Sequence, residues 1–213
     1  MKITQNKYLL KKRLVVLKYA KLIVPEYGFN NKTFEMISNK YNLDINEIKI
    51  LFPEGNIDLL KFALDQLNKD LEVFCKKFNF LRMPIHKRIR KILLSKIFLM
   101  NQEKKFYKKI FLKILIPNNN FITTNQLFKS IDQMWFMAGD NSTDFNFYTK
   151  RLILAGIYMR IILFFFNNND QNQLEKILDT NLKRVSKIPE LKSRINIFRD
   201  NLPKIIKFVK NFN

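Results

Sequence analysis

Met134-Trp135-Phe136-Met137-Ala138-Gly139-Asp140-Asn141-Ser142-Thr143-Asp144-Phe145-Asn146-Phe147-Tyr148-Thr149-Lys150-Arg151 joins two strongly apolar helical segments through a dense polar corner. Gly139 suits a left-handed turn that closes the first helix. Ser142 or Thr143 can N-cap the second, with Asp140 and Asp144 near its positive end. Asn146 and Lys150 lie four apart on one face, as do Phe147 and Arg151. A side-chain hydrogen bond and a cation–aromatic contact are therefore both available. By itself this pattern describes a helix–turn–helix corner.

Outward from that corner the periodicity is helical throughout, with almost no alternating strand signal. Leu10, Leu14, Leu17 and Val24, beside Val16, Ala20 and Ile23, form a broad apolar face that ends before Pro25 and Gly28. Short helices follow near Lys32–Lys40 and Asp44–Leu51, with a turn at Tyr41–Asn42 and a stop at Pro53-Glu54-Gly55. Ile57, Leu60, Leu64, Leu67, Leu71, Phe74 and Phe78 recur at spacings of three and four, which predicts a long helix. Further helices fit Pro84–Met100, Gln102–Ile116, Thr124–Met137, Thr143–Phe166, Gln173–Ser186 and Lys192–Phe212. The fold class is all-α. No internal repeat occurs.

The chain has 213 residues, 47% of them hydrophobic and 14% aromatic, enough to bury a substantial core. The single Cys75 excludes an internal disulfide and, with one histidine, any cysteine–histidine metal cluster. Cys75 falls in an apolar helical pattern, as a buried thiol does. The formal net charge of +21 points to a polyanionic neighbour, either nucleic acid or an anionic membrane surface. The heavy use of Lys, Asn and Ile also matches AT-rich coding, so distribution says more than the total. Basic residues crowd Lys2–Lys21, Arg82–Lys113 and Lys183–Lys210, whereas Leu43–Asp58 has four acids and one lysine. Leu152–Phe166 is the most apolar run, but its 15 residues include Arg160 and read as a buried core helix, too short to span a bilayer. The N-terminal segment runs straight into the first helix and reads as mature protein.

The Met134–Arg151 block resembles the signature of the Coq nine family of ubiquinone biosynthesis accessory proteins, down to Gly156 and Tyr158 in the following helix. The first 70 residues resemble the helix-turn-helix domain of TetR-type regulators, through Gly28-Phe29, Ile37-Ser38, Leu43, Phe52 and Leu59-Leu60. Together these imply a TetR-like bundle in three parts: a degenerate helix-turn-helix over 1–70, a lipid-binding helical domain over 71–190 and a basic amphipathic helix over 191–213. The recognition segment offers Asp44, Asn46, Glu47 and Lys49. Acids facing phosphates cost affinity, which argues against specific DNA binding. A TetR-type regulator responding to an apolar ligand is the rival reading.

By the same resemblance the larger domain holds an isoprenoid lipid, and the chain pairs as a homodimer. Trp135, Tyr148, Leu152, Ala155, Gly156, Met159, Ile162, Leu163 and Phe166 are the expected lipid-contacting residues, with Gly156 allowing close approach. A stripe of this composition also describes plain core; the resemblance points to lipid. Gly139, Asp140, Ser142, Thr143, Asp144, Asn146, Lys150 and Arg151 are its structural motif. In the terminal segment Phe198, Leu202, Ile205, Ile206, Val209 and Phe212 lie among lysines and arginines. That is the composition of a helix lying at a membrane interface, or of one packed on its own bundle with a solvated basic face.

No enzyme site is evident from the sequence. His86, among Lys87, Arg88 and Arg90, reads as part of a solvated face. Paired carboxylates, a nucleophile–histidine arrangement, a phosphate-cradling loop and a Glu-x-x-His motif are missing, so no cofactor or metal is expected beyond the lipid. The resemblance implies a non-catalytic accessory that presents a polyprenyl quinone to a di-iron demethoxyubiquinone hydroxylase. Its place would be peripheral, in the cytoplasm on the inner face of a bacterial membrane or on the matrix side of a mitochondrial one. One departure bears on that partner: Glu175 and Asn181 stand where the family has Trp and Arg, although Leu178-Asp179 remains.

Overall fold

A computed structural model of the protein describes residues 2–114, 120–140 and 145–186, with side chains for 7–113, 125–140 and 147–183. The helices are α1 (Lys2–Tyr27), α2 (Thr33–Tyr41), α3 (Ile45–Leu51), α4 (Asn56–Cys75), α5 (Ile85–Asn101), α6 (Lys104–Ile114), α7 (Asn120–Met137), α8 (Phe145–Asn167) and α9 (Gln171–Ser186). A 3-10 turn, Phe80–Arg82, separates α4 from α5. Among the described residues there is no strand, so the all-α expectation holds. The terminal segment 191–213, with Phe198, Leu202, Ile205, Ile206, Val209 and Phe212, lies outside the described residues.

The chain divides into two compact units, Met1–Ala155 and Gly156–Asn213. In the first, α1 packs on α2, α3 and α6, while α4, α5 and α7 pack on one another. The boundaries follow local chemistry. Pro25 does not stop α1 as expected; it sits in the last turn, where it removes only the bond to the Lys21 carbonyl, and the helix continues to Tyr27. Gly28 ends it at φ +72°, donating its N–H to Val24 O at 2.8 Å. Asn42, also left-handed at φ 51°, makes the α2–α3 turn, which Ser38 Oγ ties down by donating to Leu43 O at 2.6 Å. Asp44 caps α3 by accepting from Asn46 N at 2.9 Å.

Burial follows helical spacing. Val16, Leu17, Ala20, Ile23 and Val24 form the inner face of α1. Leu10 and Leu14, expected there, lie outward with Tyr8, Leu9, Val15 and Leu22, because the α1 face is narrower than its apolar content. On α5 the buried stripe is Ile89, Ile92, Leu93, Lys96, Ile97 and Met100. Each fully covered Leu, Ile or Phe contributes about 2 kcal/mol over its exposed state. Cys75 is buried, and burial raises its thiol above the ordinary value. His86 is exposed, as expected.

In the second unit Ile157, Tyr158, Ile161, Ile162, Phe165 and Phe166 of α8 and Leu174 and Leu178 of α9 are buried. Asp170 opens α9, its carboxylate accepting from Gln173 N at 2.9 Å. No helix among the described residues is long and apolar enough to cross a membrane.

A candidate lipid-facing corner between α7 and α8

The end of α7 is a complete double hydrogen-bonded C-cap. Asp140 N–H donates to Trp135 O at 3.0 Å and Gly139 N–H to Phe136 O at 2.9 Å, with Gly139 at φ +82°. This is the left-handed closure that Gly139 suited in the sequence. Arg88, reaching over from α5, donates from Nη1 to Ala138 O at 2.8 Å and from Nε to Met83 O at 2.7 Å. A cation there neutralises the negative end of α7. Read from sequence as part of a solvated basic run, Arg88 is instead half-buried and holds the corner closed. The left-handed φ requires glycine here, and a Cβ on Gly139 would come within 2.8 Å of Arg88 Nη1 and push that guanidinium aside.

The charges of the corner pair within it. The carboxylate of Asp140 is 3% exposed and receives Lys150 Nζ at 2.6 Å, with Arg151 Nη1 at 3.5 Å. Arg151, buried in turn, binds Asp132 Oδ1 through Nε at 2.7 Å and donates from Nη1 to Phe147 O at 3.1 Å. Its guanidinium lies 3.2 Å from the centre of the Phe147 ring, the contact that four-residue spacing made available. Lys150 pairs with Asp140; the side chain of Asn146, its expected partner, lies outside the described residues, as do Ser142, Thr143 and Asp144. Trp135 is buried and donates Nε1–H to Lys150 O at 3.2 Å, tying the two helices together.

With Asp140, Lys150 and Arg151 paired with one another, the described part of the corner leaves apolar side chains outside. Phe136 is 78% exposed, Tyr148 65% and Leu152 60%. Of the expected lipid-contacting residues in this unit, Trp135 is therefore interior, Tyr148 and Leu152 face outward, and Ala155 is half-buried. In the second unit Ile162 and Phe166 are buried, Met159 is half-buried and Leu163 exposed. Gly156 is exposed, and among the described residues outside its own helix backbone no atom lies within 4 Å of where its Cβ would stand. The expectation of a buried core helix over Leu152–Phe166 holds on one side, where Leu154, Ile157, Ile161 and Phe165 are buried, and not on the other, where Leu152 and Leu163 are exposed.

Sequence reasoning missed a buried polar cluster shared by α4, α5 and α7. Lys96 of α5 is fully buried and donates from Nζ to Asn68 Oδ1 of α4 at 2.7 Å and to Ser130 Oγ of α7. Burial lowers its ammonium pKa from 10.5 to about 7. The signal was present: all three residues sit on the apolar stripes of their helices. Among the described residues no group of histidine, cysteine, aspartate and glutamate could hold a metal.

Comparison with known proteins places this corner in a recognised segment. Residues 122–189 match the COQ9 family model. The chain is 46% identical over 52 residues to the bovine (Bos taurus) protein named "Ubiquinone biosynthesis protein COQ9, mitochondrial", covering 24% of this chain and 16% of that one. It is 51% identical to the rat (Rattus norvegicus) protein of the same name over 45 residues, 21% of this chain and 14% of the relative. A longer match to COQ9-A of Xenopus laevis has 24% identity over 151 residues, 67% of this chain and 47% of that protein. The matches thus span less than half the length of these relatives.

Proposed function

Because the chain belongs to the COQ9 family through residues 122–189, we propose that it serves ubiquinone biosynthesis as a non-catalytic lipid-binding accessory. The protein binds a polyprenyl quinone intermediate at a membrane surface and presents its head group to the di-iron demethoxyubiquinone hydroxylase, acting as a homodimer. The relatives are named as mitochondrial, and the corresponding place for this chain is the matrix face of the inner membrane, or the cytoplasmic face in a bacterium.

The observation that carries this reading is that Phe136, Tyr148 and Leu152 are exposed on a corner whose described charges Asp140, Lys150 and Arg151 are paired with one another. A soluble surface gains nothing from three large apolar side chains held outward on a cross-braced frame, whereas an isoprenoid chain or an acyl layer covers them. Transfer of a prenyl tail from bilayer to protein exchanges one apolar environment for another, so a covered route matters more than a driving force. The α3 surface supports the lipid reading over a regulator. Glu47 is paired with Lys12, and the outward residues Asn46, Lys49 and Ile50 provide a single cation for phosphates.

Native mass spectrometry of the protein purified from its own source tests this reading. A co-purifying isoprenoid quinone, lost in Tyr148→Asp/Leu152→Asp, is the expected result. Lipid-free protein that binds a duplex operator with nanomolar, sequence-selective affinity refutes it.

A further inference from the structure

The first unit contains a second candidate ligand site, well away in sequence from residues 122–189. A cleft of about 700 Å³ opens among α1, α4 and the start of α6, within the size range of small-molecule sites. Its apolar wall comes from Leu14, Leu17, Leu22 and Pro25 along one side of α1 and from Phe106 of α6. Leu17 and Phe106 are buried and form the floor; Leu14 and Leu22 are partly open and form the lip.

Charge is distributed unevenly around that wall. Four lysines line the cleft, Lys18 and Lys21 from α1 and Lys104 and Lys105 from α6, against Asp70 and Glu103. Glu103 is engaged by Lys21 at 2.7 Å, which leaves the cationic side in excess. Lys104 and Lys105 begin α6, whose first turn carries no acid. Positive charge at the positive end of a helix is unfavourable, and Lys104 also faces Lys108 one turn on. Desolvation and that neighbour both lower its pKa. Lys18 and Lys105 are exposed at the mouth of the cleft, so an anionic group seated between them meets cations while its hydrocarbon reaches the apolar wall. A bare anion leaves Leu14, Leu22 and Phe106 unused, and a neutral hydrocarbon leaves the lysines unused.

We propose that this cleft binds a single-chain anionic lipid, its acyl chain along the Leu14–Leu22 side of α1 and its carboxylate or phosphate head at Lys18, Lys104 and Lys105. The site is distinct from the corner between α7 and α8 in residues and in ligand charge.

Isothermal titration of the full-length protein with oleate below its micellar concentration tests the assignment, with oleyl alcohol and inorganic phosphate as the two partial ligands. Oleate is expected to bind in a salt-sensitive way, and Lys18→Glu/Lys105→Glu to weaken it by about tenfold or more while the far-ultraviolet circular dichroism is unchanged. Leu22→Asp weakens oleate as well, whereas Leu152→Asp, in the other candidate site, leaves it as in the wild type. Should the charge-reversed protein lose its helical signal, Lys18→Met/Lys105→Met replaces it with the same expectation. Oleyl alcohol binding as tightly as oleate, phosphate competing with oleate at equal concentration, or oleate unaffected by the lysine substitutions each overturns the proposal. If oleate is lost only in Leu152→Asp, ligand binding belongs to the α7–α8 corner and not to this cleft.

Discussion

Lys96 gives folding a pH dependence whose direction and size follow from its surroundings. In the unfolded chain its ammonium titrates at the ordinary 10.5; in the folded protein burial lowers that to about 7. Between those two values the unfolded state holds one proton more than the native state, so stability rises with pH across the window. Below pH 7 both states are protonated, and stability levels off at its lower value, the buried ammonium supported by Asn68 and Ser130. One proton corresponds to a limiting slope of about 1.4 kcal/mol per pH unit, which gives roughly 2–3 kcal/mol of added stability from pH 6 to pH 9. Lys96→Met preserves length and removes the titration. Its absolute stability depends on how Asn68 and Ser130 re-pair, so the quantity to measure is the wild-type minus mutant difference in urea unfolding free energy at several pH values. The buried Cys75 thiol, whose raised pKa favours folding least at alkaline pH, contributes equally to both proteins and cancels. The difference should grow with pH toward the wild type. Parallel curves, or a difference that shrinks, would refute the account of Lys96 as a desolvated base.

Three further outcomes concern the corner. Gly139→Ala should cost about 2 kcal/mol, since an L residue is disfavoured at this φ and its methyl meets the Arg88 guanidinium; a mutant that melts with the wild type contradicts this. Arg88→Met releases the carbonyls of Met83 and Ala138 and should lower stability by roughly 2 kcal/mol, with the fastest rise in amide exchange at Gly139 and Asp140. Asp140→Asn keeps the shape but removes the charge between Lys150 and Arg151; a loss of about 1–2 kcal/mol, smaller in high salt, is expected in thermal melts at two ionic strengths.

The sequence made the helices legible wherever one apolar stripe dominated. The α4 repeat from Leu60 to Leu71 is buried as its spacing indicated. It misled where apolar residues exceeded the available core. Leu10 and Leu14 on α1, and Leu152 and Leu163 on α8, are as hydrophobic as their buried neighbours, and periodicity alone cannot say which side of an all-apolar helix a partner covers. Lys96, Asn68 and Ser130 show the converse error. Charge counted over Arg82–Lys113 concealed that position 96 falls in phase with Ile89, Ile92, Leu93 and Met100. A polar residue in phase with a core stripe demands a buried partner. Asking where three such demands meet would have found this cluster. Gly139 was readable because a left-handed turn and a polar corner make one local requirement; Arg88 was not, because the carbonyl it holds at the corner, that of Ala138, lies 50 residues away.

Under the proposed function, magnitudes also constrain how the corner would meet a membrane. Phe136, Tyr148 and Leu152 are already partly covered, so seating all three in an apolar phase yields at most about 5 kcal/mol, at roughly 2 kcal/mol for each side chain. Before any cost of immobilising the protein is subtracted, that corresponds to an attachment of roughly 0.1–1 mM, of the reversible kind that a single lipid anchor provides. Lys150 adds little, because its ammonium is committed to Asp140. Stable residence at a bilayer therefore requires a second, electrostatic attachment, and the nine basic residues between Lys183 and Lys210 supply charge on that scale, at about 1 kcal/mol each near an anionic leaflet. Under the proposed function, the cationic segment would set how long the molecule stays at a bilayer, and the apolar corner would set what it exchanges while there. A weak corner is then an advantage: a surface that held its lipid by many kilocalories could not pass it on.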